Sequence, residues 1–471
     1  MSKVVKIGDI ASLKTGPFGT QFSAKEYTSE GIPVINVKNI GYGQILENEL
    51  DYIHESTRDR LSEHILKTGD IVFGRKGSVD RHAYISENYN GWVQGSDCIR
   101  LRFQEDVNTR YISHYLKLDH VKKQINHASI GSTMASLNTD ILKNIKIILP
   151  ELSVQNSIEG VLSLLESKVD VNSKICSELE AMAKTLYDYW FVQFDFPDEN
   201  GKPYRTAGGE MVWNEQLKRK IPKGWKHIEY SELVDIENSS INPSSFGETL
   251  MEHYSIPAFD EDCMPAFDIA ATIQSGKYKV LKESFLVSKL NPQFKRIWNP
   301  YCLTDNAICS TEFMVYKPKN ITLRPICYAI ANSDGFYNHM VSKAIASTGS
   351  RKRIQPDVSI QYSLAFPLDR FIVDRFCSHY SPIMEKIKKA RLENYELKKL
   401  RDWLLPMLMN GQATVVDAEE DTGKVIPYTP QTVEVRQAAR NFGDKETDDT
   451  ADLVQAYLRR KQHDSKTQNR N

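Results

Sequence analysis

The sequence predicts an α+β chain with a pseudo-two-fold internal repeat, in which two mixed α/β globules are joined by two long helices that pair as an antiparallel coiled coil. Three observations carry this. At 471 residues, 41% apolar and 10% aromatic, the chain is too long for one compact core, since domains usually run to roughly 100–200 residues. The segment from Gly131-Ser132 through Leu137-Asn138-Thr139-Asp140-Ile141 to Leu149-Pro150 returns as Gly349-Ser350 through Ile354-Gln355-Pro356-Asp357-Val358 to Phe366-Pro367, the mark of a duplicated unit. After each proline comes a long charged stretch of helical period. An offset of about 218 residues lays Val169 on Ile387, Glu178 on Glu396, Leu179 on Leu397 and Leu186 on Leu404.

Each element follows from local pattern. Residues 1–150 are rich in β-branched and aromatic side chains broken by Gly, Asn and Pro, which reads as short strands, turns and a few helices. In 151–192, Leu162, Val169, Cys176, Ala183 and Trp190 recur every seven residues, with Leu165, Asn172, Leu179 and Leu186 filling the second seam position, a heptad stripe. A connector follows over 193–225. The second globule, 226–367, opens with Ile228-Glu229-Tyr230-Ser231-Glu232-Leu233, an echo of Val5-Lys6-Ile7-Gly8-Asp9-Ile10, and then diverges. The second helix, 368–410, carries Ile383, Ile387, Ala390, Asn394, Leu397, Leu404 and Leu408 on one face, with Arg401 as a departure. A narrow apolar stripe on a helix of about 37 residues, roughly 55 Å long, needs a partner, and the other copy supplies it. Symmetric pairing sets Asn172 opposite Asn394 and Cys176 opposite Ala390, a polar layer that fixes register, and leaves one globule at each end of a rod. The tail, 411–471, is polar and mixed in charge and is expected to be largely disordered, with one helical stretch near 450–461.

Composition narrows the function. Formal net charge is −1, so contact with a nucleic acid has to come from local basic clusters. Seven cysteines without a C-x-x-C pair read as reduced thiols and give no zinc or other metal site. No signal pattern and no apolar run of about 18 residues is present, so a soluble, cytoplasmic protein without membrane contact is expected. Asn291-Pro292-Gln293-Phe294 approaches the Asn/Asp-Pro-Pro-aromatic motif of adenine methyltransferases but lacks the second proline, and no glycine-rich nucleotide loop follows a strand. It reads as a turn, as does Asn299-Pro300-Tyr301. Pro197-Asp198-Glu199-Asn200-Gly201-Lys202 is a turn rather than a nuclease centre. The absence of a phosphate loop and of H-E-x-x-H leaves no catalytic residue to name.

Tyr189-Trp190-Phe191-Val192-Gln193-Phe194-Asp195-Phe196-Pro197, Gly201-Lys202-Pro203-Tyr204, Gly208-Gly209-Glu210-Met211-Val212-Trp213 and Ile221-Pro222-Lys223-Gly224-Trp225 resemble the specificity subunits of type I restriction–modification systems. Thr15-Gly16-Pro17-Phe18-Gly19, Gly31-Ile32-Pro33-Val34-Ile35-Asn36-Val37 and Gly69-Asp70-Ile71-Val72-Phe73-Gly74-Arg75-Lys76-Gly77-Ser78 are similar to first-domain segments of that family. The resemblance spans 1 to about 410; the second globule departs from it, with no Gly-Pro-Phe-Gly and no Gly-Arg-Lys-Gly. It implies target-recognition domains at 1–150 and 226–367 that read a bipartite, asymmetric double-stranded DNA target. It also implies two methyltransferase subunits, docked on the helices with Tyr187, Tyr189, Trp190 and Phe191 as anchors unless these are buried, and restriction subunits. S-adenosylmethionine, ATP and Mg²⁺ then belong to those partners, and this chain is a non-catalytic subunit without a cofactor.

Basic and amide groups on glycine-rich loops are the candidate readers. Arg75, Lys76, Ser78 and Arg81 lie where glycines admit close backbone approach; arginine pairs bidentately with guanine, while lysine and serine hold phosphates. Gln94 is placed to read adenine, and Lys14, Ser132 and Thr133 to contact the backbone. In the second globule the candidates are Lys295, Arg296, Arg351, Lys352 and Arg353, the last three at the repeat position of Ser132-Thr133. Two readings from other classes compete: a stand-alone adenine methyltransferase, which would bind S-adenosylmethionine unaided, and a non-enzymatic DNA-bridging protein, which would work without partners.

Overall fold

The computed structural model describes residues 2–129, 136–348 and 351–415, and they divide into two compact units. The first holds residues 2–167 and 398–415, the second 168–397. The division cuts through both long helices, so each unit contains a stretch of each.

In the first unit, Lys3–Lys6 pairs antiparallel with Lys146–Leu149. A four-stranded antiparallel sheet runs in the order Ala11–Thr15, Cys98–Phe103, Ile71–Gly74, His82–Tyr84. Its alternation decides its packing: Ile71, Phe73, Ile99 and Leu101 enter one core with Tyr111, Ile112 and Leu137, whereas Val72 and Cys98 enter another with Ile35 and Ala83. A second sheet orders Tyr27–Thr28, Asp51–Ile53, Ile32–Ile35 and Val93–Gln94, the last pair parallel. Helix Thr109–Leu116 begins where the Asn108 carboxamide accepts the Tyr111 amide at 2.9 Å, an ordinary N-cap.

The second unit contains a comparable pair and four-stranded sheet but a larger second sheet. Trp225–Glu229 pairs antiparallel with Ser363–Pro367. An antiparallel sheet runs Val234–Ile236, Phe313–Pro318, Phe285–Ser288, Ile297–Trp298, and a five-stranded sheet contains the parallel pair Leu250–Tyr254 with Ala307–Ser310. Helices Arg324–Ala331 and Asp334–Lys343 follow.

The long helices are Leu152–Tyr187, of 36 residues, continued by a π-helical turn over Asp188–Val192, and Arg370–Met409, of 40 residues. In the first unit, Leu162 shares the core with Leu404 and Leu408, and Leu165 and Leu400 pack against it. In the second, Leu179, Leu186, Ile383 and Ile387 adjoin one core, and Leu397 is buried. Contacts there run in opposite order along the two chains: the Asn394 amide donates to the Val169 carbonyl and Ser173 Oγ at 3.1 Å each, Asn172 Nδ2 donates to Glu393 Oε2 at 2.7 Å, Cys176 Sγ lies 3.8 Å from the Ile387 carbonyl, and Arg391 pairs with Glu180. These contacts flank the expected pairing of Asn172 with Asn394 and of Cys176 with Ala390, but neither asparagine donates to the other: Asn172 reaches the Glu393 carboxylate, Asn394 the Val169 carbonyl and Ser173, and Cys176 Sγ the Ile387 carbonyl. Tyr187, Trp190 and Phe191 are buried against Phe376 and Trp225, so of the four aromatic anchors only Tyr189 is exposed.

Candidate nucleic-acid interface

In the first unit the loop 75–81 joins strands Ile71–Gly74 and His82–Tyr84, and Gly77 turns it with a φ of 79°, a left-handed conformation that glycine adopts without strain. Its base is fixed by the backbone: the Arg75 amide donates to the Asp97 carbonyl at 2.8 Å, and the Leu137 amide donates to the Arg75 carbonyl at 2.9 Å. Lys76 bridges Ser136. The chain near 136 is thus brought to a loop about sixty residues earlier in sequence; Ser132 and Thr133 lie outside the described residues.

Two guanidinium groups crown this loop on aromatic rings. Arg75 Cζ lies 4.8 Å from the Phe18 centroid and Arg81 Cζ 5.4 Å from that of Tyr42, which also carries Lys122 Nζ at 4.8 Å. Phe18 and Tyr42 are each 44% exposed. Among the described residues neither arginine makes an ion pair. The Nε of each is shielded and makes no hydrogen bond, which leaves the Nη groups as the donors on offer. Stacking holds a guanidinium flat without using its fork, the geometry that bidentate base pairing needs. Ser78 is exposed, and Lys76 Nζ sits 3.3 Å from Asp97 Oδ1 in an exposed pair that a phosphate can displace. Beside Arg81, His82 is fully buried, and burial pulls its pKa down to about 3, so it adds no charge under the loop at neutral pH.

Two candidates here change role. Gln94 is completely buried, and its amide donates to the carbonyls of Lys14 at 2.9 Å and Cys98 at 3.0 Å; it braces two strands and cannot reach a base. Lys14 pairs with Glu63, holding that carboxyl below its usual range. The glycines of the neighbouring motifs also serve packing: a Cβ on Gly16 would lie 2.0 Å from the Gly95 carbonyl oxygen, and one on Gly95 2.1 Å from Asn36 Oδ1.

In the second unit the loop between Phe285–Ser288 and Ile297–Trp298 occupies the same place in the strand order. Here Asn291 takes the left-handed turn with a φ of 47°. Its amide donates to the Lys352 carbonyl at 2.7 Å, its side chain accepts the Lys352 amide at 2.8 Å, and the Ile354 amide donates to the Lys289 carbonyl at 3.1 Å. The basic segment 351–353 is therefore held against the start of this loop, at 289–291. Not all of their cations face outward. Arg296 is clamped by Asp260 at 2.6 and 2.7 Å and is 12% exposed. Arg353 grips Glu312 at 3.1 and 2.6 Å and holds that carboxyl below its usual range. With both forks spent on carboxylates, neither is a base reader. Lys295 donates to the Asn332 carbonyl. Arg351 and Lys352 are exposed on strand Arg351–Arg353, and Lys289, Phe294, Phe18, Tyr42 and Lys122 join the surface although sequence reasoning did not single them out. Exposed aromatics in a glycine-rich loop were the available signal.

The family model described as the type I restriction modification DNA specificity domain matches residues 2–181. The chain is 22% identical over 439 residues to the MjaIX type I restriction enzyme specificity subunit of Methanocaldococcus jannaschii, covering 88% of this chain and 93% of that one. It is 22% identical over 169 residues to the HindI specificity subunit of Haemophilus influenzae, covering 34% and 36% respectively. The crystal structure of a type I restriction-modification S subunit from M. genitalium superposes with a TM-score of 0.56 at 13% identity, over 87% of this chain and 96% of that one, which shows a shared fold. Domain, relatives and fold agree: residues 2–181 match the type I DNA specificity domain, and over most of its length the chain is similar to type I restriction–modification specificity subunits.

Proposed function

We propose that this chain chooses the DNA site of a type I restriction–modification complex, each unit reading one half of a bipartite, asymmetric double-stranded target while other subunits carry out the chemistry. One observation carries the reading. In both units a strand-to-strand loop and a basic or polar segment more than fifty residues downstream are joined by backbone hydrogen bonds at the same place in the fold, at Arg75 with Leu137 and at Lys289 with Ile354. The scaffold repeats while its side chains differ, which suits two unlike half-sites. The comparable strand pair and four-stranded sheet of each unit and the opposed contacts of the long helices support a pseudo-two-fold plan with an antiparallel coiled coil. On the first long helix, Val171, Ile175, Met182 and Tyr189 are 51, 44, 60 and 37% exposed, apolar side chains at near-heptad spacing that fit docking of two methyltransferase subunits, with restriction subunits joining them. S-adenosylmethionine, ATP and Mg²⁺ are assigned to those partners, and the complex to the cytoplasm.

Mapping methylated adenines in host DNA with and without the gene tests this. Loss of methylation at one split motif is expected on deletion. Methylation of oligonucleotides by this chain alone would refute the reading.

A further inference from the structure

Within the second unit lies a cavity of 410 Å³ lined by residues of both long helices and of the globule, Lys295 of the basic loop 289–296 among them. Its size falls in the range of small-molecule sites, roughly 300–1,000 Å³, and its wall is unusual in two respects. It holds four cationic side chains, of which two are neutralised: Arg391 by Glu180, and Lys184 by Asp188 and Asp334 at 2.9 Å each. The other two, Lys295 and Lys388, have no carboxylate within ion-pair distance among the described residues. Glu385 and Glu252 act on Lys388, and Asp334, Asp188 and Glu180 on Lys295, only from farther off. Burial holds the Lys388 ammonium below the usual lysine range, and an anion beside it would favour the charged form; Lys295 is exposed and donates to the Asn332 carbonyl. The second respect is aromatic. Tyr301 and Tyr380 are 5% and 3% exposed as residues, and among the described residues neither hydroxyl makes a hydrogen bond, which leaves both free to meet a ligand. Lys388 Nζ stands 5.7 Å from the Tyr301 centroid, so charge, donor and ring face converge.

We infer that this cavity binds a small aromatic anion of the nucleoside-monophosphate class, its phosphate on Lys388 and Lys295 and its ring among the tyrosines. An ammonium pair calls for a compact anionic group, and tyrosine faces call for a planar body. Lys388 and Tyr301 lie outside the basic loops, so variants there test the cavity apart from DNA reading.

The test is isothermal titration calorimetry of the full chain with AMP, UMP, adenosine and inorganic phosphate. AMP or UMP is expected to bind one to one with a Kd below about 1 mM, and adenosine and phosphate at least about tenfold more weakly. Lys388→Met weakens the nucleotide about tenfold and Tyr301→Phe about threefold, Lys388→Arg retains it, and all three variants keep the parent's DNA affinity. Lys388→Arg and Tyr301→Phe preserve bulk, so they keep the test open should Lys388→Met misfold. Absence of heat with both nucleotides at about ten times that concentration, adenosine binding as tightly as AMP, or undiminished binding by Lys388→Met would overturn the assignment.

Discussion

Replacing Arg75 with alanine separates base reading from phosphate contact. Within the chain the substitution removes one stacking contact with Phe18 at 4.8 Å and no ion pair, so stability falls by no more than about 1 kcal/mol. On DNA the loss is larger. A bidentate arginine–guanine pair discriminates by about 1–3 kcal/mol, which is about 5- to 150-fold in affinity. The assay is fluorescence anisotropy with the reconstituted complex, on the duplex defined by adenine-methylation mapping and on duplexes altered at single pairs, across a salt series. Arg75→Ala is expected to lose that factor on the intact target and almost nothing on the duplex already altered at the contacted pair. Arg75→Lys keeps the charge and is expected to lose the same discrimination. Uniform loss on every duplex, together with a log–log salt slope shallower by about 0.9, would make Arg75 a backbone contact and refute base reading.

Gln94→Ala deletes two buried donor contacts and is expected to lower stability by about 1–3 kcal/mol in urea titrations while leaving base preference as it was; a changed preference would return Gln94 to the interface. Arg353→Ala breaks a half-buried pair and costs about 1 kcal/mol or less at pH 7. Because Arg353 lowers the folded-state pKa of Glu312, this contribution is present above the ordinary carboxylate value near 4.3 and is lost as pH falls through the lower folded value, so urea midpoints of parent and variant should converge in acid. Leu162→Ala, at a fully buried position shared with Leu404 and Leu408, costs about 2–5 kcal/mol, measured by the same titration. Asn394→Leu removes a half-buried amide whose shielded Oδ1 has no hydrogen bond; thermal unfolding at or above the parent's midpoint is expected, and a fall of several degrees would show that its two donor contacts dominate.

Some of this was legible in the sequence because it is periodic. The seven-residue spacing of Leu162, Val169, Cys176 and Ala183 marked a face before any contact was known, and helix limits of 151–192 and 368–410 differ little from Leu152–Val192 and Arg370–Met409. Partner choice was not legible. Arg296 and Arg353 look like free cations in a basic cluster, but their carboxylates, Asp260 and Glu312, lie 36 and 41 residues away in sequence, and no local pattern records such a pairing. Gln94 was misjudged for a related reason: in a two-residue strand, Val93–Gln94, there is too little alternation to tell an inward from an outward side chain. The hydrogen-bond partners of the seam asparagines were not legible either, because heptad spacing fixes which face meets the other helix and not which lone pair an amide chooses.

The first unit draws part of its wall from residues 398–415, while its other helical stretch ends at 167. A ribosome moving at roughly 5–20 residues per second therefore takes on the order of 10–50 s to deliver the closing segment after Leu162 has emerged. During translation the greasy side of that early helix waits bare, so premature termination or a stall before residue 398 should leave an N-terminal piece that chaperones and proteases recognise as unfinished.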